Sequence, residues 1–230
     1  MSDHMRLMIA AMMRAASSSA CAGTAPNKEI VLYSFQGGSD GAAPSAGLIY
    51  ENGFLFGTTA TGGSGCGTTG CGTVFEVDPN TGAETVIYRF AGGKDGQNPV
   101  AGLIYENGLL YGTTQDGGPA EAGTVFSVNP ATSEEQVLYS FKGGKDGASP
   151  EAGLVYDNGL LFGTTAKGGP LHYGTVFEVD LSSDTETIIH AFNQESGGGT
   201  PPAGVILHDD SSYTTPRDAT TLSGRLADFL

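Results

Sequence analysis

Positive charge is scarce in this chain. Lys and Arg number 10 against 25 Asp and Glu, leaving a net charge of −15. A surface so acidic repels a phosphate backbone and an anionic membrane face alike, which argues against nucleic acid as a partner. Long apolar runs are missing too. No stretch of the body approaches the ~18 consecutive apolar residues that a membrane span requires, so no transmembrane segment is expected in the mature domain. The three cysteines, Cys21, Cys66 and Cys71, cannot make a tetrahedral zinc site, because no second cysteine pair or His-x-His cluster supplies the remaining ligands. Nor does the chain hold a G-x-S-x-G elbow, a P-loop or an H-E-x-x-H pair. Its glycine-rich segments lack the GK[ST] and following helix of a phosphate loop. No catalytic residue, cofactor or metal site is therefore assigned.

Glycine is abundant instead. Gly 37 and Pro 11 in 230 residues, with only 15% charged residues, disfavour a helical bundle, since these are the two poorest helix formers. A hydrophobic content of 39% and the lack of a glycine at every third position exclude a disordered linker and a collagen. The length suits one large all-β domain or two small ones.

Residues 1–29 read as a leader and linker. Arg6 precedes an apolar run from Leu7 to Met13, interrupted by Arg14, and small residues around Ala20, Cys21 and Ala22 resemble an A-x-A cleavage site. Lipidation of Cys21 is not expected, because Ser18, Ser19 and Ala20 lack the usual lipobox leucine. Cys66 and Cys71 stand in GGSGCGTTGCGTV, where a local disulfide is the better reading and a pair of free thiols in a reducing compartment the alternative. Closing so short a loop removes only about 2 kcal/mol of unfolded-state freedom. A disulfide there implies an exported protein, secreted or held at the cell surface.

The dominant signal is an internal repeat. FQGGSDGAAPSAGLIYENGFLFGTT (35 to 59), FAGGKDGQNPVAGLIYENGLLYGTT (90 to 114) and FKGGKDGASPEAGLVYDNGLLFGTT (141 to 165) are each followed by GTVF. Phe35, Phe90, Phe141 and Phe192 are spaced 55, 51 and 51 apart. The extra residues of the first interval fall around Cys66 and Cys71. Within a unit, an apolar strand a (Ala46 to Tyr50) turns at Asn52-Gly53 into strand b (Phe54 to Phe56), because Asn-Gly accepts the positive φ of a type I′ turn. Strand c follows at 72–77 and strand d at 85–90, rich in β-branched and aromatic residues.

Four-stranded antiparallel units of about 50 residues, apolar on two faces, predict a β-propeller-like array of blades. Ile30 to Phe35 reads as an isolated d strand, three complete units follow, and Ala203 to Leu207 opens a fourth. The expectation is about four blades over residues 30–215, the fourth incomplete, with the N-terminal strand closing the ring against residues 203–215. Aligning the fourth unit on the first puts Tyr213 on Phe56 and leaves its strand c unrecognisable. Residues 216–230 form a divergent tail in which Leu222, Leu226 and Phe229 have helical spacing. A fragment of a longer, open array is the alternative.

The pattern LYSFxGGxDGxxPxAGLIY, NGxLYGTT, GG, GTVFEV resembles the GloVer tandem repeats of bacterial "choice-of-anchor" proteins over about residues 31 to 207. The resemblance implies an exported or surface-displayed repeat protein and supplies no biochemical activity.

In meander order the d-to-a and b-to-c loops share one face, and the b-to-c loops vary most between units, as on scaffolds that present a binding surface. Asp40, Asp95 and Asp146 recur in the d-to-a loops. They read as turn residues that bond local backbone, the alternative being a Ca²⁺ or cation site. His172 and Tyr173, on the third b-to-c loop, are the remaining binding candidates; Tyr50, Tyr105 and Tyr156 read as packing residues. The function expected is an exported, non-catalytic module that binds a glycan or a protein; the alternative is a carbohydrate-active hydrolase or lyase on the same scaffold.

Overall fold

The computed structural model describes residues 29–193, 201, 203–208, 212–215 and 218–223. Three four-stranded antiparallel sheets follow one another along the chain, each a simple meander. The first consists of Ile49–Glu51 (β1), Phe54–Thr59 (β2), Thr73–Val77 (β3) and Glu84–Arg89 (β4). The second holds Ile104–Glu106 (β5), Leu109–Thr114 (β6), Thr124–Val128 (β7) and Glu135–Ser140 (β8). The third holds Val155–Asp157 (β9), Leu160–Thr165 (β10), Thr175–Asp180 (β11) and Thr185–Ala191 (β12). A three-stranded sheet of Ile206–His208 (β13), Ser212–Thr215 (β14) and Asp218–Ser223 (β15) comes last.

Asn-Gly makes the a-to-b turns. Asn52 and Gly53 have φ of 53° and 91°, the two positive values a type I′ turn needs, and Glu51 pairs directly with Phe54. Strand a is shorter than its apolar run suggests: pairing begins at Ile49, and the Ala-Gly-Leu segment before it lies against the neighbouring repeat instead of extending the ladder. Strand b is longer, because Thr58 and Thr59 continue it into the core.

Consecutive sheets stack face to face. A β-bulge falls at the same Val–Phe step in each complete sheet, at Val74/Phe75, Val125/Phe126 and Val176/Phe177. The phenylalanine beyond each bulge is fully buried and meets the ring of the repeat-anchoring phenylalanine before it: Phe35 on Phe75, Phe90 on Phe126 and Phe141 on Phe177, with centroids 4.9, 5.0 and 5.0 Å apart and near edge-to-face. Threonine hydroxyls join the stack. Thr58 Oγ1 donates to the Ala101 carbonyl at 3.0 Å, and Thr164 Oγ1 to that of Ala203 at 3.2 Å, so the fourth sheet docks on the third as the second docks on the first.

The ends of the array differ from the sequence expectation. Ile30 to Phe35 is not a strand of any described sheet; Ser34 alone makes a bridge. Ile30 and Val31 are 62% and 38% exposed, while Tyr33 and Phe35 pack against Phe75 and Val77 on the first sheet. The sheets described are three of four strands and one of three, with no ring closure among the described residues. The fourth unit does possess a third strand, β15, whose Thr-rich sequence lacks the GTVF signature that marks strand c elsewhere. Leu222, assigned helical spacing above, lies in that strand; Leu226 and Phe229 fall outside the described residues. Three residues separate β13 from β14 where two separate β1 from β2, so Tyr213 pairs with Leu207 as Leu55 pairs with Tyr50, one place off the alignment with Phe56. Of the expected leader and linker, 1–29, all but Glu29 lie outside the described residues. No helix among the described residues is long and apolar enough to cross a membrane.

Candidate functional site

The d-to-a and b-to-c loops of each blade are tied to each other. Two-residue bridges pair Ala42 with Thr61, Gln97 with Asp116 and Ala148 with Lys167. Gly63 N donates to the Gly38 carbonyl at 2.6 Å and Gly118 N to that of Gly93 at 2.7 Å. Beneath them, buried hydroxyl pairs Thr59–Thr73, Thr114–Thr124 and Thr165–Thr175, 2.7 to 2.8 Å apart, lock strand b to strand c. Close approach explains one glycine of the DG turn: a Cβ on Gly96, at φ 93°, would stand 2.5 Å from Thr114 Oγ1. A rigid frame thus carries each loop pair.

Asp40, Asp95 and Asp146 are part of that frame. Tyr33 Oη donates to Asp40 at 2.9 Å, Tyr88 Oη to Asp95 at 2.7 Å and Tyr139 Oη to Asp146 at 2.7 Å. The second carboxylate oxygen of Asp95 and of Asp146 accepts the amide of Ala91 (2.5 Å) and Lys142 (2.6 Å), while Asp40 takes the Gln36 amide (2.8 Å) on the oxygen that Tyr33 uses. The bond to Asp, together with burial as the larger cause, holds all three phenols well above the usual tyrosine range.

A glutamate from the first residues of strand d joins each pair: Glu84 beside Asp40, Glu135 beside Asp95, Glu186 beside Asp146. Burial first, and the neighbouring aspartate second, push these three carboxyls up to about 7. One oxygen of each, Oε1, is buried with no hydrogen-bond partner. Sequence reading missed this trio, although Tyr-x-Phe followed by Asp at a fixed interval was visible in the first three units. In the fourth unit both partners change together: His190 stands where tyrosine is expected, against Phe192, and Gly197 replaces the aspartate.

The loop tips are where the blades differ. In the first blade Cys66 and Cys71 are bonded to each other, with Cα atoms 5.2 Å apart. Cys71 is fully buried among Val74, Ile87 and Phe90, so the bridge anchors the loop in the core between the first two sheets. In the third blade Leu171 is 50% exposed and His172 stands beside it at φ 65° on the outside of the loop. Its neighbour Tyr173 turns inward and packs with Phe162, Val176 and Phe192, so His172 and Tyr173 do not form one surface. Among the described residues no group of three or more His, Cys, Asp or Glu is placed to hold a metal ion. On the opposite side, Asn52 Nδ2 donates to Tyr105 Oη at 3.1 Å and Asn107 Nδ2 to Tyr156 Oη at 3.2 Å, which makes these tyrosines contacts between blades.

Stacked four-stranded meanders with a repeating seam define an all-β tandem-repeat protein. Residues 21–225 match the Gloeobacter/Verrucomicrobia repeat, and the chain belongs to that family. No curated protein matches it significantly. Among solved structures, it is similar to a chain of a nidogen/laminin complex (15% identity, TM-score 0.47, covering 75% of this chain and 54% of that one). It is also similar to a puromycin hydrolase S511A mutant complexed with PGG (16%, 0.44, 80% and 26%). A puromycin-hydrolyzing peptidase of Mycobacterium tuberculosis is a third (14%, 0.45, 73% and 23%). The chain thus spans from about a quarter to about half of the length of these proteins.

Proposed function

We propose that the chain is an exported, non-catalytic recognition module that binds a glycan through its paired d-to-a and b-to-c loops. The observation that carries this reading is the contrast on one face: a frame of bridged loops and buried threonine pairs repeats three times, while the tips it supports are a disulfide loop, a Pro-Ala-Glu turn and Leu171-His172. The loops offer Ser, Thr, Asn and Gln hydrogen-bonding groups suited to hydroxyl-rich ligands, and a net charge of −15 disfavours anionic ones. Among the described residues the recurring carboxyl groups are the Tyr–Asp–Glu sets, whose aspartates are bonded to a tyrosine and a local backbone amide. A hydrolase instead needs two carboxyl groups facing a bound sugar about 5 to 9.5 Å apart.

The test is a thermal-shift series on the full chain with soluble cello-, chito- and xylo-oligosaccharides and, separately, CaCl₂. A ligand that prefers the folded state raises the melting temperature. The expected result is a rise with one oligosaccharide class, abolished in Leu171→Ser/His172→Ala, with the sugar recovered intact. Cleaved oligosaccharide favours the hydrolase reading, and a rise with CaCl₂ alone favours the aspartates as a cation site.

A further inference from the structure

Asn52-Gly53, Asn107-Gly108 and Asn158-Gly159 form the a-to-b turns of the three complete sheets, and their backbones are nearly the same. The asparagines have φ of 53°, 53° and 49° and the glycines 91°, 87° and 91°, and all three asparagines are exposed. Among the described residues none of the three glycine nitrogens donates a hydrogen bond. What differs is the side-chain amide. Asn52 and Asn107 reach across a seam to Tyr105 and Tyr156 of the next sheet, at 3.1 and 3.2 Å. Asn158 Nδ2 donates instead to Asp157 Oδ1, on the same turn, at 2.7 Å. The next unit has no phenol to offer it: Leu207, paired with Tyr213, takes the register place that Tyr50 takes opposite Leu55.

An Asn-Gly pair can modify itself, because glycine has no Cβ to shield its nitrogen and asparagine is a labile residue. Hydroxide removes the glycine N–H proton, and the nitrogen attacks the asparagine Cγ. A new C–N bond forms there, the Cγ–Nδ2 bond breaks, and Nδ2 leaves as ammonia with a proton from water. Water then opens the cyclic imide at either carbonyl, giving aspartate or isoaspartate with no oxidant or reductant. The side chain must first leave its partner and swing over the glycine nitrogen. For Asn52 and Asn107 that breaks a tie to another sheet, whereas the partner of Asn158 is its adjacent residue. The Leu181 amide donates to the Gly159 carbonyl at 3.0 Å, on the far side of the glycine from the bond that forms.

We infer that Asn158 is a self-modification site, which deamidates ahead of Asn52 and Asn107 because its amide is not tied across a seam. One hydrogen bond between neutral groups corresponds to about a fivefold difference in rate. Each event adds a negative charge beside Asp157, and the isoaspartate product lengthens the backbone of the two-residue turn that sets the Asp157–Leu160 pairing. The inference is independent of what the loop face binds.

Peptide mapping by mass spectrometry tests it on the full chain, held for a series of times in mildly alkaline buffer well below its melting temperature. A urea-unfolded sample gives each site's rate without the fold, so the folded-to-unfolded ratio separates structure from local sequence. The expected ratio at Asn158 exceeds those at Asn52 and Asn107 by about fivefold. Tyr105→Phe should raise the ratio at Asn52 alone, and Tyr156→Phe the ratio at Asn107 alone. Equal ratios at the three sites overturn the inference, as does Asn52 or Asn107 reacting ahead of Asn158, or no reaction at Asn158 in the folded chain. So does a tyrosine variant that leaves its asparagine unchanged, or that speeds all three sites together, which would show a general loosening of the fold.

Discussion

Tyr88 donates its phenol hydrogen to Asp95 across 2.7 Å, and the carboxylate's other oxygen closes on the Ala91 amide just beyond the strand that carries Tyr88. One aspartate thereby fixes the end of strand d, the path into the next blade and a side chain in the seam. Tyr139–Asp146 is bonded in the same way, and Asp40 takes Tyr33 and the Gln36 amide on a single oxygen. Removing the phenol oxygen leaves a partly buried carboxylate short of one donor, at a cost of about 1–3 kcal/mol. Tyr88→Phe and Asp95→Ala are each expected to destabilise the fold, and a double-mutant cycle measured by urea unfolding should give a coupling of at least ~0.5 kcal/mol. Additive effects would contradict the pairing.

Proton binding gives a second prediction. Glu84 faces Asp40, Tyr33 and Arg89; Glu135 faces Asp95 and Tyr88; Glu186 faces Asp146, Lys142 and Tyr139. In the folded chain these carboxyls sit at about 7 against an ordinary 4.5, so the fold binds protons that the unfolded chain releases. Their stabilisation is complete below about pH 4.5 and is lost as the pH rises through about 7. The melting temperature should fall between mildly acidic and mildly alkaline buffer. In Glu84→Gln/Glu135→Gln/Glu186→Gln, whose amides mimic the protonated acids, most of that slope should disappear. An unchanged slope would locate the titration elsewhere.

The disulfide prediction follows from where its two ends lie. Because Cys71 is fully buried in the apolar seam, Cys66→Ala/Cys71→Ala should cost about 2 kcal/mol from the short loop. The double serine variant should cost a further ~1 kcal/mol or more, for a hydroxyl with no partner there. Equal stability of the two variants, by denaturant titration, would contradict the burial of Cys71.

Gly112 tests the seam from the opposite direction. A Cβ there would meet Phe126 Cζ at 2.7 Å and Leu103 Cδ2 at 2.8 Å, and Gly163 is crowded in the same way by Phe177 and Leu154. Gly112→Ala is expected to lose about 1–3 kcal/mol by overpacking. A neutral substitution would mean that the rings move aside without cost.

Much of this architecture was legible in the repeat. Asn-Gly turns, the alternation of GTVF and the spacing of the anchoring phenylalanines carry local and nearest-neighbour information, and the twelve strands of the three complete sheets follow from them. The fourth unit was less legible because β15 has neither GTVF nor its glycine, and because one added turn residue shifts the register of β14. Pairing Tyr with Asp needed no more than noticing that both sit at fixed positions in three units and are lost together at His190 and Gly197. Glu84, Glu135 and Glu186 were harder, since the loops before them, Asp78 to Ala83, Asn129 to Glu134 and Leu181 to Asp184, differ in sequence. What stayed hidden was the depth of Cys71 and the inward turn of Tyr173, because whether a loop side chain faces solvent or core depends on the neighbouring blade.

The most direct test of the recognition reading is a titration of the isotopically labelled full chain with the cello-, chito- and xylo-oligosaccharides, followed by amide chemical shifts. The account predicts saturable shifts with one class, confined to residues 36–45, 60–72, 91–100, 115–123, 142–151 and 166–174, with the sugar unaltered at the end. Shifts centred on the Asn-Gly turns, cleavage of the sugar, or no response to any of the three classes would contradict it.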